Sequence, residues 1–364
     1  MTIPFTSIVQ SLPQTVPFTG PETLERHAGK PFLARIGANE SAFGISQLAQ
    51  QAIQELATAQ ACSWYGDPEN HELRQLLAEK HNVKVENICV DAGIDSLLGL
   101  TIRLFIEPGD TVVTSDGAYP TVNYHVGGFN GRLIKVPYRD HHEDPITLAK
   151  AANENQARLL YLANPDNPMG TSLDHTAIQT LIEQLPPKCL LMLDEAYVEF
   201  MTKSPVLTLD VHDSRVIRFR TFSKAYGMAG MRIGYVIAHH EIISGYNRIR
   251  NHFGVNRMAQ VAAKASIEDS EFLNDVVFKV EHGRQRIYRL AESLGLDYLK
   301  SATNFVAVDV CDAKRADNLI QSLAQAGVFL RKPMVAPQNR YIRIGVGTDH
   351  EHTILEQAIR KLIV

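Results

Sequence analysis

A chain of 364 residues, 45% hydrophobic and 21% charged, has the make-up of an ordinary globular protein and enough length for two domains. Its net charge of -4, without a stripe of Lys or Arg, speaks against a nucleic-acid partner. No apolar run reaches the ~20 residues of a membrane span, and the start MTIPFTSIVQ lacks the charged and apolar regions of a leader. Cys62, Cys89, Cys189 and Cys311 stand far apart, with no CxxC pair and no metal-ligand spacing. The expectation is a cytoplasmic protein with buried thiols and no metal.

Residues 1 to about 35 carry Pro4, Pro13, Pro17, Pro21 and Pro31 and little periodicity, which reads as an irregular arm. The turn-rich stretch IGANESAFGIS follows. Its Ser46 is placed to cap a helix in which Leu48, Ala49, Ala52, Ile53 and Leu56 recur at helical spacing. Gly66, Asp67 and Pro68 make a turn before a second helix with Leu73, Leu76 and Leu77 on one face. Tyr65, just ahead of that turn, is either a core-edge aromatic or a residue presented to a neighbour. From residue 88 short apolar runs alternate with helical segments: Ile88–Val90, Thr111–Ser115, Leu133–Pro137, Leu159–Ala163, CLLMLD, Val216–Phe219 and Ile233–Ala238. Such strands predict a largely parallel sheet covered on both faces, with ligands outside the carboxyl ends of its strands. Beyond about 245, a long helical pattern over 256–294 leads to the strand-like NFVAVDV, GVFLRKP and YIRIGVG and a closing helix at 350–362. The expected division is an arm (1–45) that joins a small α+β domain (251–364), with a large domain (46–250) between them.

The stretch TFSKAYGMAGMRIGY, residues 221–235, holds the residue on which the functional reading turns. A lysine inside an apolar, glycine-rich stretch is costly unless it is paired or chemically used. Used, the Lys224 amine forms a Schiff base with the aldehyde of pyridoxal 5'-phosphate (PLP); unused, it is a loop lysine between two strands. Asp194 leaves a buried strand and either meets the protonated pyridine nitrogen of PLP or caps the next helix. Asn167, in the proline-fixed turn NPDNPMG, and Tyr197, three residues after Asp194, are placed to reach the coenzyme's phenolate oxygen. Gly93-Ile94-Asp95-Ser96 opens a helix directly after a strand and offers backbone N–H groups to a phosphate, the Asp95 side chain capping while its amide serves. Ser223 and Arg232 add a hydroxyl and a guanidinium, and Tyr119 is placed to stack on the ring.

Asn167, Asp194 and Tyr197 (DEAY), Ser223-Lys224, Arg232 and Arg343 (YIRIGVG), in that order and spacing, resemble the fold-type-I PLP aminotransferases. The likeness is closest to the histidinol-phosphate aminotransferase branch of class II and runs from GANESAFG to the last helix. It implies an α/β fold with a mostly parallel seven-stranded sheet between helices, plus a smaller α+β domain. It implies transfer of an amino group between an L-amino acid or histidinol phosphate and a 2-oxo acid. By the same resemblance, Lys224 is the covalent residue and acid–base, Asp194 faces the pyridine nitrogen, and Asn167 and Tyr197 bond the 3'-oxygen. Tyr119 stacks, while Ile94, Asp95, Ser96, Ser223 and Arg232 hold the phosphate. Tyr65 reaches the phosphate of the other subunit, so a homodimer with shared active sites is implied. Arg343 grips the substrate carboxylate, Arg331 is a second anion contact, and Asn39 closes over the substrate.

The chain departs from that pattern at several points. Met169 stands where the family often has a threonine, and Pro17-Phe18 where the histidinol-phosphate branch usually has Pro-Tyr. His252, Asn256 and Arg257 either line a substrate wall, favouring a polar amino acid such as an arginine derivative, or cap and pair around a hinge. Two other readings therefore stand beside transamination. One is decarboxylation, elimination or side-chain replacement or cyclisation on the same coenzyme; the other is a non-catalytic binding protein of the same fold, which the retained Lys224 disfavours.

Overall fold

The computed structural model describes residues 3–13, 19–57, 63–201 and 210–363. Strand β1 (Ala34–Arg35) belongs to the smaller unit. The larger sheet is built from β2 (Ile88–Asp91), β3 (Thr111–Ser115), β4 (Arg132–Val136), β5 (Leu159–Ala163), β6 (Leu190–Asp194), β7 (Val216–Thr221) and β8 (Gly234–Ile237). Their order is β2-β8-β7-β6-β5-β3-β4, and β3 to β7 pair in parallel. β8 runs antiparallel to both of its neighbours, so it enters the sheet at the edge where the other strands leave it. Residues after the other strands and before β8 therefore meet along one edge.

Every residue of β5 is buried, because helices cover both faces and the pleat sends alternate side chains to each. On one face Tyr161 and Met192 join the helices Ile94–Phe105, Thr121–Gly128 and His240–Ile249. On the other, Leu160, Leu162, Leu191 and Leu193 meet the helices Pro145–Glu154 and His175–Glu183. The helix Gln47–Leu56 starts at Ser46, whose side chain accepts from the Ala49 N–H at 3.1 Å, as its sequence predicts.

The helical pattern over 256–294 is two helices, Arg257–Glu268 and Ser270–Ser293, parted at Asp269, whose side chain caps the second. The first packs on Gln47–Leu56 and His71–His81, and its Ala259, Ala262 and Ala263 join Ile88, Val90 and Tyr235 of the large sheet. The smaller unit holds β9 (Asp297–Tyr298), β10 (Phe305–Asp309), β11 (Val328–Phe329) and β12 (Tyr341–Gly345). Its antiparallel sheet has the order β12-β10-β9, and β11 pairs in parallel with β1. Cys89 and Cys189 are buried, whereas Cys311 is exposed; Cys62 lies outside the described residues. Among the described residues no helix is long and apolar enough to cross a membrane.

Candidate active site

Lys224 follows β7 and is half-buried at the shared edge. Its Nζ donates to the Asn39 carbonyl oxygen at 3.2 Å and lies 5.5 Å from the centre of the Tyr197 ring. Asn39 is a left-handed residue (φ 57°) whose Nδ2 donates to the Tyr197 hydroxyl at 2.9 Å. Asn304, on the small unit, also donates to the Asn39 oxygen, at 3.1 Å. Gly227, in the lysine loop, has φ 71°, and a Cβ there would come 1.8 Å from the Gly44 oxygen, so only glycine lets this loop lie against the 39–44 segment.

Asp194 closes β6 and is 5% exposed. Both partners of its carboxylate are neutral: the Tyr161 hydroxyl donates to Oδ2 at 2.7 Å and the Ala196 N–H to Oδ1 at 3.0 Å. Burial pushes its pKa up to about 6, against the lowering effect of those two bonds. Two buried acids nearby behave alike: burial raises Glu143 well above the carboxylate range and Asp166 to about 7. The next residue, Glu195, differs in kind. It is clamped by Arg218 at 2.9 Å and Arg220 at 2.7 Å, and these guanidiniums outweigh burial and lower its pKa. The bond to Ala196 is a turn contact and not the helix cap expected as the alternative for Asp194, since the short helix Val198–Phe200 starts from Tyr197 without a side-chain cap; chain order gives no role to Tyr161. A tyrosine inside the aliphatic run LLYLA is the one available signal, because a buried phenol requires a partner.

Gly93 precedes the helix Ile94–Phe105 with φ 85°, and a Cβ there would stand 2.8 Å from Arg232 Nη2. A side chain at 93 would therefore fill the space between the helix start and the guanidinium. Asp95 does not cap the helix: its Oδ1 accepts from the Tyr119 hydroxyl at 2.9 Å, and its Oδ2 lies 3.6 Å from Arg232. The contact with a cation and a phenol outcompetes the cap that its position suggests. Ser96 Oγ donates to Asp91 Oδ1 at 3.0 Å, and Ser223 is buried with its N–H on Thr221 Oγ1 at 3.0 Å.

Arg343, on β12, donates to Asn167 Oδ1 and lies 5.0 Å above the Phe305 ring, which packs edge-on to Tyr197. Its Nε is buried with no partner among the described residues, and burial pulls its pKa down to about 10, the charge of Arg331 adding to the shift. The Arg343 N–H donates to the Arg331 carbonyl at 2.7 Å, so the two arginines sit on paired backbone. The Arg331 guanidinium reaches the Thr19 carbonyl at 2.7 Å. These contacts bring Asn39, Asn167, Tyr197, Lys224 and Arg343 together, and Asp95, Tyr119 and Arg232 form a second group beside Ile94.

Tyr65 is linked to neither group by the contacts above. It is 79% exposed and packs against Phe253, ring centres 4.6 Å apart, beside an exposed Trp64 over which Arg257 lies at 5.5 Å. Asn256 caps the helix that follows it and donates to the Met231 carbonyl, and His252 is exposed, so this segment caps and pairs as the second of its two readings expects. Met169 is fully buried against Ala307 and Tyr341. Pro17 and Phe18 lie outside the described residues.

This donor set suits PLP. A buried carboxylate with only neutral partners fits a ring-nitrogen cation, the side-chain-free start of a helix beside Arg232 fits a phosphate, and Lys224 fits an aldehyde. Residues 34–362 match the family model described as aminotransferase class I and II. The histidinol-phosphate aminotransferase of Moorella thermoacetica is 33% identical, over 98% of this chain and 92% of its own length. The crystal structure of histidinol-phosphate aminotransferase from Sinorhizobium meliloti in complex with pyridoxal-5'-phosphate is 44% identical, with a TM-score of 0.95 over 100% of this chain and 98% of that one. L-threonine-O-3-phosphate decarboxylase from Porphyromonas gingivalis, 20% identical with a TM-score of 0.78 over 91% of this chain and 99% of that one, shares the fold alone.

Proposed function

The chain belongs to the class I and II aminotransferases and is a PLP-dependent transaminase of fold type I, and from that premise we propose that its amino donor carries a phosphate or carboxylate held by Arg331 and Arg343, histidinol phosphate being the first candidate. The observation that carries this reading is the pair of arginines on hydrogen-bonded backbone, one of them with a buried, unpartnered Nε. A doubly charged phosphate ester suits two guanidiniums, and the carboxylate of a 2-oxo acid acceptor suits one in a bidentate fork. Relatives named histidinol-phosphate aminotransferase support the choice of donor.

Bound PLP supplies an aldehyde for the amine and a ring that draws electrons from the substrate's α carbon. Lys224, once it leaves the Asn39 oxygen, would take the proton from that carbon and deliver it to C4' of the coenzyme. Asp194 would supply a negative charge to the ring nitrogen, Asn167 and Tyr197 would donate to the 3'-oxygen, and Tyr119 would stack on the ring. The N–H groups of Ile94, Asp95 and Ser96, with Ser223 and Arg232, hold the phosphate. Asn39 shields the site from water on the side of the arm.

Reconstituted protein should convert its coenzyme to the amine form with L-histidinol phosphate faster than with phosphate-free amino acids of similar shape; equal rates would discard the anion-led reading. In Arg343→Lys, which keeps the charge but loses the fork, KM for donor and acceptor should rise about 10-fold while kcat changes less, read from steady-state kinetics.

The assembly proposed is a homodimer in which Tyr65 serves the partner's phosphate. Supporting it are the exposed rings of Trp64, Tyr65 and Phe253, the last two packed against each other. Sedimentation should give a dimer, and Tyr65→Phe should weaken coenzyme binding about 10-fold through loss of one charge-assisted bond. An unchanged affinity in a dimer would remove Tyr65 from the site.

A further inference from the structure

Tyr161 is the one polar side chain in β5, and its position follows from the register. It pairs with Met192, so its ring shares a face with Asp194, two residues further along β6. A phenol enclosed by aliphatic side chains needs an acceptor, and the diagonal neighbour is the carboxylate, reached at 2.7 Å. An ionised carboxylate has about four acceptor positions. The phenol takes one on Oδ2 and the Ala196 N–H takes one on Oδ1, which fixes the plane of the group and leaves positions for a cation.

We propose that Tyr161 is a positioning residue for the coenzyme: through its bond to Oδ2 it holds Asp194 ionised and aimed at the ring nitrogen. The inference rests on the role given above to Asp194. Tyr161 touches neither substrate nor coenzyme and acts only through that carboxylate. Burial and the neighbouring Asp194 charge both raise the phenol's own pKa, so it stays a donor throughout the physiological range. Without the hydroxyl, Asp194 becomes the stronger base and draws the shared proton away from the ring.

The test is a double-mutant cycle on coenzyme affinity in the full-length protein, using Tyr161→Phe, Asp194→Asn and the double variant. Tyr161→Phe should raise the Kd for PLP about 10-fold in the parent background, the size expected for a hydrogen bond to a charged group, and less than about twofold in the Asp194→Asn background. With 15N-labelled coenzyme, the ring-nitrogen resonance of Tyr161→Phe should move towards that of unprotonated pyridine. A merely structural role would give equal losses in both backgrounds and an unmoved resonance, and either result overturns the inference. Should Tyr161→Phe alone fail to fold, recovery in the double variant supports the coupling and failure there overturns it. If instead Asp194→Asn leaves affinity and resonance as in the unaltered protein, it is the role of Asp194 that falls.

Discussion

Lys224→Ala protein is expected to bind PLP, keep its fold and turn over about 10⁴-fold more slowly than the parent. The estimate combines loss of the covalent amine with loss of the acid–base, each a large contribution in enzymes of this kind. The fold should survive because, among the described residues, the amine's one hydrogen bond is to the Asn39 oxygen, which Asn304 also holds. Rapid-mixing measurement of the half-reaction with L-histidinol phosphate separates chemistry from binding. A residual rate above about 1% of the parent's would remove Lys224 from the centre of the mechanism. Added primary amines of small volume should restore part of the rate, since the cavity left by the side chain opens beside Tyr197.

Asp194→Asn should lose about 10²–10³-fold in turnover, because an amide gives the ring nitrogen no charge to hold its proton. The same change has the opposite effect on the coenzyme-free protein. Folding lifts the pKa of this carboxylate from 3.8 to about 6. Between those values the folded chain keeps a proton that the unfolded chain has lost, so this group's contribution to stability falls as pH rises through the window and stays low above it. The loss is on the order of 3 kcal/mol, at 1.36 kcal/mol per pKa unit. Melting curves at about pH 5 and about pH 7.5 check it: coenzyme-free Asp194→Asn should gain on the parent at the higher pH, and PLP should reverse the order. A parent that melts above the variant at the higher pH without coenzyme would show that Asp194 has a cationic partner of its own. On the expected result the variant exchanges activity for stability, as is common where a site holds an uncompensated charge.

The sheet is legible because buried parallel strands leave continuous apolar runs, and site residues fall directly after them: Asn167 past β5, Asp194 at the end of β6, Lys224 past β7. That position follows from chain order alone. What chain order does not carry is pairing across long separations. Nothing in the run LLYLA says that Tyr161 faces Asp194 until the β5–β6 register is known. Asp95 reads as a cap because Tyr119 and Arg232, its true partners, are distant in sequence. The two helices over 257–293 read as one because both carry the same periodicity, and only the Asp269 cap parts them. Asn39 can be marked as a site residue from GANES, but its contact with Lys224 is through a backbone oxygen, which no side-chain pattern encodes.

That oxygen ties together positions 39, 224 and 304, which belong to the segment after the arm, the large sheet's edge and the small unit. When the amine is drawn off to do chemistry, that oxygen loses one of its two donors, and residue 39 stays held by Asn304 at its carbonyl and by the Tyr197 hydroxyl at its side chain. The position of a single nitrogen is thereby coupled, through one carbonyl, to stretches that lie far apart along the chain.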